Sequence, residues 1–487
     1  MAESAKHKVT FAIGWSSLAS VINYVMLFSR TFILVRFLAP NDFGIMALSL
    51  LLVTTIKQFS YMGLEQAVIQ DTATTAKTMD TIWTVSIARG LLFFAIIIGV
   101  TPYYAAYFSE SALIPTLTLV SFSAIFNGFR NSYVVASQKS LDFDLLFKLN
   151  VTTAVVEFIT TVTLAIIYGD VIALAIGYLT GSITGCILSF VIFKSRPNLH
   201  FSTSEFLKLF HFGKWIFTGG IVIFLILNID TFVVGKILGV VLLGYYQVAF
   251  RVANFAATDI VLTFSKALYP AYSYVKGDMH MLKKYFLTTI FFISVTVLPL
   301  MTLVGLYADS FVALFIGITW EEMVSPLKVL IIFGIVRSFG SITGYVFWTL
   351  GRPKIQTMIS LVQLLLIVLC IFPLISKFSI TGAAWAVTLP LMLTSIVSFF
   401  LNVKLLSINF DDCLTYFLSP LLAWVTLVFA ILMIQTVFPN IPSIASFILN
   451  AIFLAFIYLG FLYIFDNFGS RKGRNLMMQL FEVIKNK

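Results

Sequence analysis

Apolar residues in this chain run in blocks of about 20 to 30, broken by short polar or Gly/Pro-bearing stretches. That pattern predicts helices able to cross a bilayer, each needing roughly 20 apolar residues. Fourteen such runs can be read, near 9–38, 42–64, 83–107, 112–135, 146–168, 171–193, 213–238, 240–270, 285–307, 324–350, 355–376, 380–403, 413–437 and 444–466. The first follows Lys6, His7 and Lys8, outlasts a signal-peptide core and lacks a small-x-small cleavage pattern, so it is expected to stay in the mature chain. An even number of spans puts both termini on one side.

Composition agrees with this reading. Of 487 residues 60% are hydrophobic and 11% charged, more apolar surface than a soluble core can absorb. The formal charge of +10 would suggest nucleic acid in a soluble protein. Here the loops on the terminal side hold twenty Lys and Arg, among them Lys139, Lys148, Lys194, Arg196, Lys283, Lys284, Arg352 and Arg471, against Lys377 alone on the other side. That asymmetry is a positive-inside signal, placing both termini in the cytoplasm and removing nucleic acid as the expected partner. Cys186, Cys370 and Cys413 have no paired spacing, so neither a disulfide framework nor a metal cage is expected. Asp142-Phe143-Asp144 has the form of a DxD metal motif but falls in a basic cytoplasmic loop and reads as solvated loop. No phosphate loop of the GxxxxGK[ST] type and no HExxH occurs. The external loops, the longest near 308–325, are too short for the catalytic segment of a glycan polymerase or transferase, so the chain is not read as an enzyme.

A repeat at an offset of 200 residues organises the chain. Thr31 to Leu38 and Gly44 lie over Thr231 to Leu238 and Gly244, Arg36 over Lys236 and Trp15 over Trp215. Six helices separate equivalent points, so the halves share one orientation about an axis along the membrane normal. The expected fold is an all-α polytopic membrane protein of about 14 transmembrane helices: two pseudo-symmetric six-helix lobes plus two C-terminal helices. The expected boundaries are an N-terminal lobe at 1–195, a cytoplasmic interfacial linker at 196–212, a C-terminal lobe at 213–406, and helices 13 and 14 with an amphipathic tail at 407–487. In the linker, Ser202-x-x-Glu205 has capping-box form and predicts a short interfacial helix. Gly177, Gly181 and Gly185, and likewise Gly340 and Gly344, place small residues on one helix face and predict close packing seams.

Ten cations fall inside the spans. Arg36, Lys236, Lys328, Arg89, Arg130 and Lys266 lie near span ends, where long side chains can snorkel. Arg30, Lys57, Arg251 and Arg337 are deep. At roughly 2.5–3.5 kcal/mol each they cannot sit unpaired in lipid. Ser16, Ser20, Asn23 and Arg30 share a stripe at helical spacing, as do Gln247, Arg251, Asn254, Thr258 and Ser265, and the repeat carries the latter onto Thr54, Gln58 and Glu65. A polar cavity wall in both lobes is expected, lined by Ser20, Asn23, Thr54, Gln58, Gln247, Asn254 and Thr258, with Arg30, Lys57, Arg251 and Arg337 as the substrate-binding cations. Glu65, Glu157, Asp230 and Asp259 are candidates for ion coupling or charge pairing, Asp230 with Lys236 or Arg251 and Asp259 with Lys266 or Arg251. A basic cavity favours an anionic substrate, and Arg suits phosphate in particular.

Phe37-Leu38-Ala39-Pro40-Asn41-Asp42-Phe43-Gly44, followed by Gly63-Leu64-Glu65-Gln66-Ala67-Val68-Ile69-Gln70, resembles a motif of Wzx-type polysaccharide flippases, the colanic-acid exporter branch especially. Asn228 to Tyr246, Trp320 with Pro326, and Leu350-Gly351-Arg352-Pro353 extend the resemblance nearly end to end. It implies the multidrug/oligosaccharidyl-lipid/polysaccharide exporter fold and transfer of undecaprenyl-pyrophosphate-linked oligosaccharide from the cytoplasmic to the periplasmic leaflet of the bacterial inner membrane. A proton or sodium gradient stands in for any cofactor. Expected partners are the lipid-linked oligosaccharide, membrane lipids and other polysaccharide assembly proteins such as a polymerase or chain-length regulator. The motif positions Asp42, Gly44, Asp230 and Gly244 match; the four deep cations rest on burial alone. The alternative on the same fold is an ion-coupled multidrug exporter, which would favour a carboxylate-dominated cavity. A membrane glycan polymerase or transferase is the third reading.

Overall fold

A computed structural model describes residues 22–23, 25–59, 68, 75–140, 142–255, 272, 275, 277–437 and 444–468. These residues form α1 (Val25–Leu34), α2 (Pro40–Phe59), α3 (Ala76–Phe108), α4 (Leu113–Phe129), α5 (Tyr133–Ser140), α6 (Phe143–Tyr168), α7 (Val171–Ile192), α8 (Thr203–Ile237), α9 (Val240–Phe255), α10 (Met279–Leu306), α11 (Val324–Thr349), α12 (Pro353–Leu405), α13 (Phe410–Val437) and α14 (Ile444–Phe468). The helix ends follow local chemistry. Asp170 caps α7 by accepting from Ile172 N, and Asp278 caps α10 by accepting from His280 N and Met281 N. Thr75 and Thr78 close a reciprocal box at the start of α3, while Gly169 ends α6 in the left-handed conformation.

Ten described helices are long and apolar enough to cross a bilayer. The longest, α12, has 53 residues. A straight helix of that length would span about 80 Å, far more than the roughly 30 Å hydrocarbon core. The chain instead breaks at Ser379 (φ 52°, ψ −136°). A Cβ on Gly382 would strike the carbonyl of Leu374, eight residues earlier, which requires the chain to turn back. Thus α12 is two antiparallel spans, corresponding to the runs expected at 355–376 and 380–403. All fourteen expected runs contain described helix, and the chain is an all-α, multi-pass membrane protein.

The chain forms two compact units, 1–248 and 249–487, and their boundary falls within α9. In the first, α3 packs on α4, α6 on α7, and α8 on α2 and α3. The predicted seam is present: missing Cβ positions at Gly177, Gly181 and Gly185 face Thr161, Glu157 and Thr153, successive turns of α6. In the second, α11 packs on α12, and α13 packs on both α10 and α14. Trp424 Nε1 donates to Thr302 Oγ1 (2.8 Å), Gln435 Nε2 donates to the Leu306 carbonyl (2.7 Å), and Lys283 pairs with Asp412, tying α13 to α10 along its length.

The linker differs from expectation. No separate interfacial helix forms, because the helix begun at Thr203 continues unbroken to Ile237. Ser202 makes no side-chain cap bond; Glu205 instead accepts from Thr78 Oγ1 (2.9 Å) across at α3. The backbone of the segment lies along the start of α3, with Asn198 N donating to Asp80 Oδ1 (2.8 Å), His200 N to Thr84 Oγ1 (3.1 Å) and Ser202 N to Thr81 Oγ1 (3.2 Å). The expected amphipathic tail, 476–484, lies outside the described residues.

Between α4 and α5, buried Asn131 donates Nδ2 to the carbonyls of Ser189 (3.3 Å) and Ser195 (2.9 Å) and accepts from Tyr133 N (3.0 Å). Replacement by Ala takes this partner from the carbonyl of fully buried Ser189 and breaks the bonds to Ser195 and Tyr133. Asn131→Ala is expected to destabilise the protein by about 2 kcal/mol, seen as a lowered Tm in detergent.

Candidate functional site

Two groups of cations are held inside the spans, one in each unit. In the first unit Arg30 of α1 pairs with Glu157 of α6, their side chains 20% and 25% exposed. Glu157 fits because α7 has glycine opposite: a Cβ at Gly181 would lie 2.8 Å from Glu157 Oε2. Lys57 of α2 reaches the same helix, donating from Nζ to Tyr178 Oη (3.3 Å) with the ammonium 5.9 Å from the ring centroid. Tyr178 and Gly181 are three residues apart and therefore share a face of α7. The seam thus receives a cation from α1 at Glu157 on α6 and one from α2 at Tyr178 on α7. Guanidinium carries five donors, so Arg30 retains N–H groups beyond those engaged by Glu157.

The predicted lining residues divide by place. Asn23, ahead of α1, is half-buried. Thr54 turns its hydroxyl back to the Leu50 carbonyl (2.7 Å). Gln58 lies against α8, where a Cβ at Gly220 would come within 2.6 Å of its Nε2. Ser20, Glu65, Thr258 and Asp259 lie outside the described residues, as does Lys266.

Asp230 departs from its expected pairing. It contacts neither Lys236 nor Arg251; Tyr246 Oη donates to Oδ2 (2.6 Å) and Thr231 N to Oδ1 (2.8 Å). Asp230 is 3% exposed and Tyr246 fully buried. Gln247 Nε2 donates to Thr231 Oγ1 (2.7 Å), making a second bond between α8 and α9. Lys236 points away and donates to the Tyr107 carbonyl (2.5 Å). Under the offset of 200, Arg30 and Asp230 are equivalent positions carrying opposite charges.

In the second unit, Arg337 of α11 donates to Asn254 Oδ1 of α9 (3.3 Å) and lies 5.8 Å from the Phe333 ring. A Cβ at Gly334 would overlap the Ala253 carbonyl, so glycine again permits the approach that brings Arg337 to Asn254 one turn away. Arg251 is half-buried on the turn of α9 before Asn254. Tyr178 was not among the residues picked out from sequence, and Tyr246 entered only as the last residue of the Asn228–Tyr246 resemblance, with no role read for it. The glycine run at 177, 181 and 185 marks the helix that carries Tyr178.

Residues 33–325, more than half the chain, match the family described as polysaccharide biosynthesis protein. The chain belongs to this family. Among its relatives, the Lipopolysaccharide biosynthesis protein WzxC of Escherichia coli (strain K12) is 22% identical over 407 residues, covering 82% of each chain. An uncharacterized membrane protein in the cps region of Klebsiella pneumoniae is 24% identical over 484 residues, covering 98% of this chain and 99% of that one. In three dimensions the chain is similar to the lipid II flippase MurJ in its inward closed conformation, with TM-score 0.69 at 16% identity over 94% of this chain and 98% of that one. An inward-facing multidrug resistance MATE family transporter gives TM-score 0.60 at 15% identity, covering 80% and 94%. At those identities the structures establish the shared fold.

Proposed function

We propose that this family member is a flippase for undecaprenyl-pyrophosphate-linked oligosaccharide, moving it from the cytoplasmic to the periplasmic leaflet of the bacterial inner membrane for O-antigen, capsule or exopolysaccharide assembly. Both termini are cytoplasmic in this reading. The observation that carries it is that Arg30 and Lys57 both reach the α6/α7 pair at membrane depth, Arg30 at Glu157 of α6 and Lys57 at Tyr178 of α7. Cations in that setting are an anion site, and guanidinium in low dielectric suits a pyrophosphate. Arg251 and Arg337, with Asn254, are a second group of polar and cationic side chains in the other unit, and the prenyl tail stays in lipid.

Transport proceeds by alternating access, with 1–195 rocking against 213–406 and 407–487 as an accessory pair with its tail. By the repeat, α8 and the start of α9 belong to the second lobe, yet here α8 packs on α2 and α3 and the start of α9 meets α2. Asp230 is the group we assign to coupling, because it is a membrane-buried acid bonded to a phenol and an amide rather than to a cation.

The reading is tested by neutralising the second cation group. Arg337→Ala, and separately Arg251→Ala, is expected to lower surface polymer at least about tenfold, which is ~1.4 kcal/mol of lost anion interaction, with protein abundance unchanged. Increased drug sensitivity with normal polymer would favour the multidrug exporter.

A further inference from the structure

In the second unit α10, α11, the second half of α12 and α13 enclose a groove of about 380 Å³, the size of a small-molecule site rather than of a packing defect. Its floor is made of short side chains, Gly340, Thr343 and Ser395. A Cβ on Gly340 would lie 3.0 Å from Ser395 Oγ, so any larger residue there would begin to fill the hollow. Phe399 meets Phe417 edge-on at 6.0 Å and walls the groove between α12 and α13. Ile396 and Phe400, 50% and 66% exposed, form the outer lip, which faces lipid.

Length and charge decide what fits. The lining runs from Ile335 to Thr343 on α11 and from Met392 to Phe400 on α12, in each case eight residues or about 12 Å. That is less than one leaflet of a roughly 30 Å core. Thr343 lies six residues before the end of α11 at Thr349, and Phe400 five before the end of α12 at Leu405. In the orientation proposed above, these ends are cytoplasmic. One turn beyond Phe400 on the same face stands Lys404, exposed and in no ion pair among the described residues. Lys283, two turns before Ile290 on α10, holds Asp412, so one of the two acids that open α13 is already neutralised.

We infer that this groove seats one acyl chain of an anionic phospholipid of the cytoplasmic leaflet, with the lipid phosphate on Lys404. An apolar groove gains little over bulk lipid, because lipid chains are as apolar as the side chains that line it. The headgroup must therefore select the occupant, and basic positions at the cytoplasmic side of membrane helices take anionic ones. The substrate's prenyl chain is the poorer fit. It outruns a groove shorter than a leaflet, and its pyrophosphate belongs with the deep cations rather than with a Lys at the interface. A chain seated here packs on Val336 and Gly340, to either side of Arg337 in sequence, and so braces the helix that holds Arg337 to Asn254.

The test uses the full chain with Cys186, Cys370 and Cys413 replaced by Ser, and Phe400→Cys carrying a small fluorophore. The protein is placed in phosphatidylcholine nanodiscs with a rising fraction of either phosphatidylglycerol or phosphatidylcholine that bears a nitroxide on its chain, which quenches on contact. Half-quenching is expected at about a fivefold lower fraction of phosphatidylglycerol. Lys404→Glu is expected to abolish that preference while quenching by phosphatidylcholine persists. Ser395→Leu, which fills the floor, is expected to abolish it with Lys404 intact. Equal quenching by the two lipids overturns the site, as does a preference that survives either variant. Release of the labelled phosphatidylglycerol by undecaprenyl phosphate, at a lower fraction than unlabelled phosphatidylglycerol needs, would also overturn it and make the groove a prenyl seat. Lys404→Glu changes an exposed residue and keeps the test decisive if Ser395→Leu fails to fold. No oligosaccharide is moved in this measurement, so equal quenching removes the lipid site and leaves the flippase reading standing.

Discussion

Arg30→Ala is expected to cost both folded protein and transport, while Arg30→Ala combined with Glu157→Ala recovers the protein and leaves transport lost. The single change strands Glu157 between α1, α6 and α7 with no cation, and breaking such a pair costs about 3 kcal/mol or more. Removing both charges leaves no stranded ion, so the double variant is less destabilised than the single one although both side chains are truncated. Abundance in membranes and Tm in detergent separate these terms. If the pair were purely structural, the double variant would regain transport along with stability. A third variant sharpens the point: Glu157→Gln leaves Arg30 positive with less competition for its donors, and is expected to hold an anionic substrate more tightly.

The second large effect is at Asp230 and Tyr246. Tyr246→Phe removes the 2.6 Å bond to a fully buried carboxylate and is expected to destabilise by about 1–3 kcal/mol. Combining it with Asp230→Leu, which removes the acceptor as well, should give less than the sum of the two single effects. Asp230→Asn keeps size and an acceptor oxygen but cannot take up or release a proton. With coupling at this carboxyl, transport by Asp230→Asn loses its response to an imposed proton gradient. An unchanged response would move coupling to another group.

The architecture was legible because its signal is long and redundant: fourteen apolar runs, a lopsided distribution of Lys and Arg, and a repeat held without a gap from Thr31 to Gly44. Where the reading missed, the reason is local. Ser202-x-x-Glu205 has the form of a cap, but Thr78 on another helix competed for the Glu205 carboxylate and won. The helix then had no reason to stop at 212, since apolar residues continue into the span. Deep charges could be found by their cost in lipid, yet their partners could not. Arg30 and Glu157 are 127 residues apart, and only the packing of α1 against α6 joins them. Asp230 was matched to the cations near it in sequence, whereas the fold gave it a phenol from the next helix. Periodicity names a face of a helix; which neighbour that face meets is a tertiary fact.

The central claim is tested most directly by moving the substrate itself. Purified protein is placed in liposomes with a fluorescent polyprenyl-pyrophosphate oligosaccharide, with and without a proton or sodium gradient. The account predicts protein-dependent translocation that depends on a gradient and is abolished in the stable Arg30→Ala, Glu157→Ala variant. No movement of several such glycans, alongside gradient-driven uptake of a cationic dye, would contradict it and leave the chain a drug exporter on the same fold.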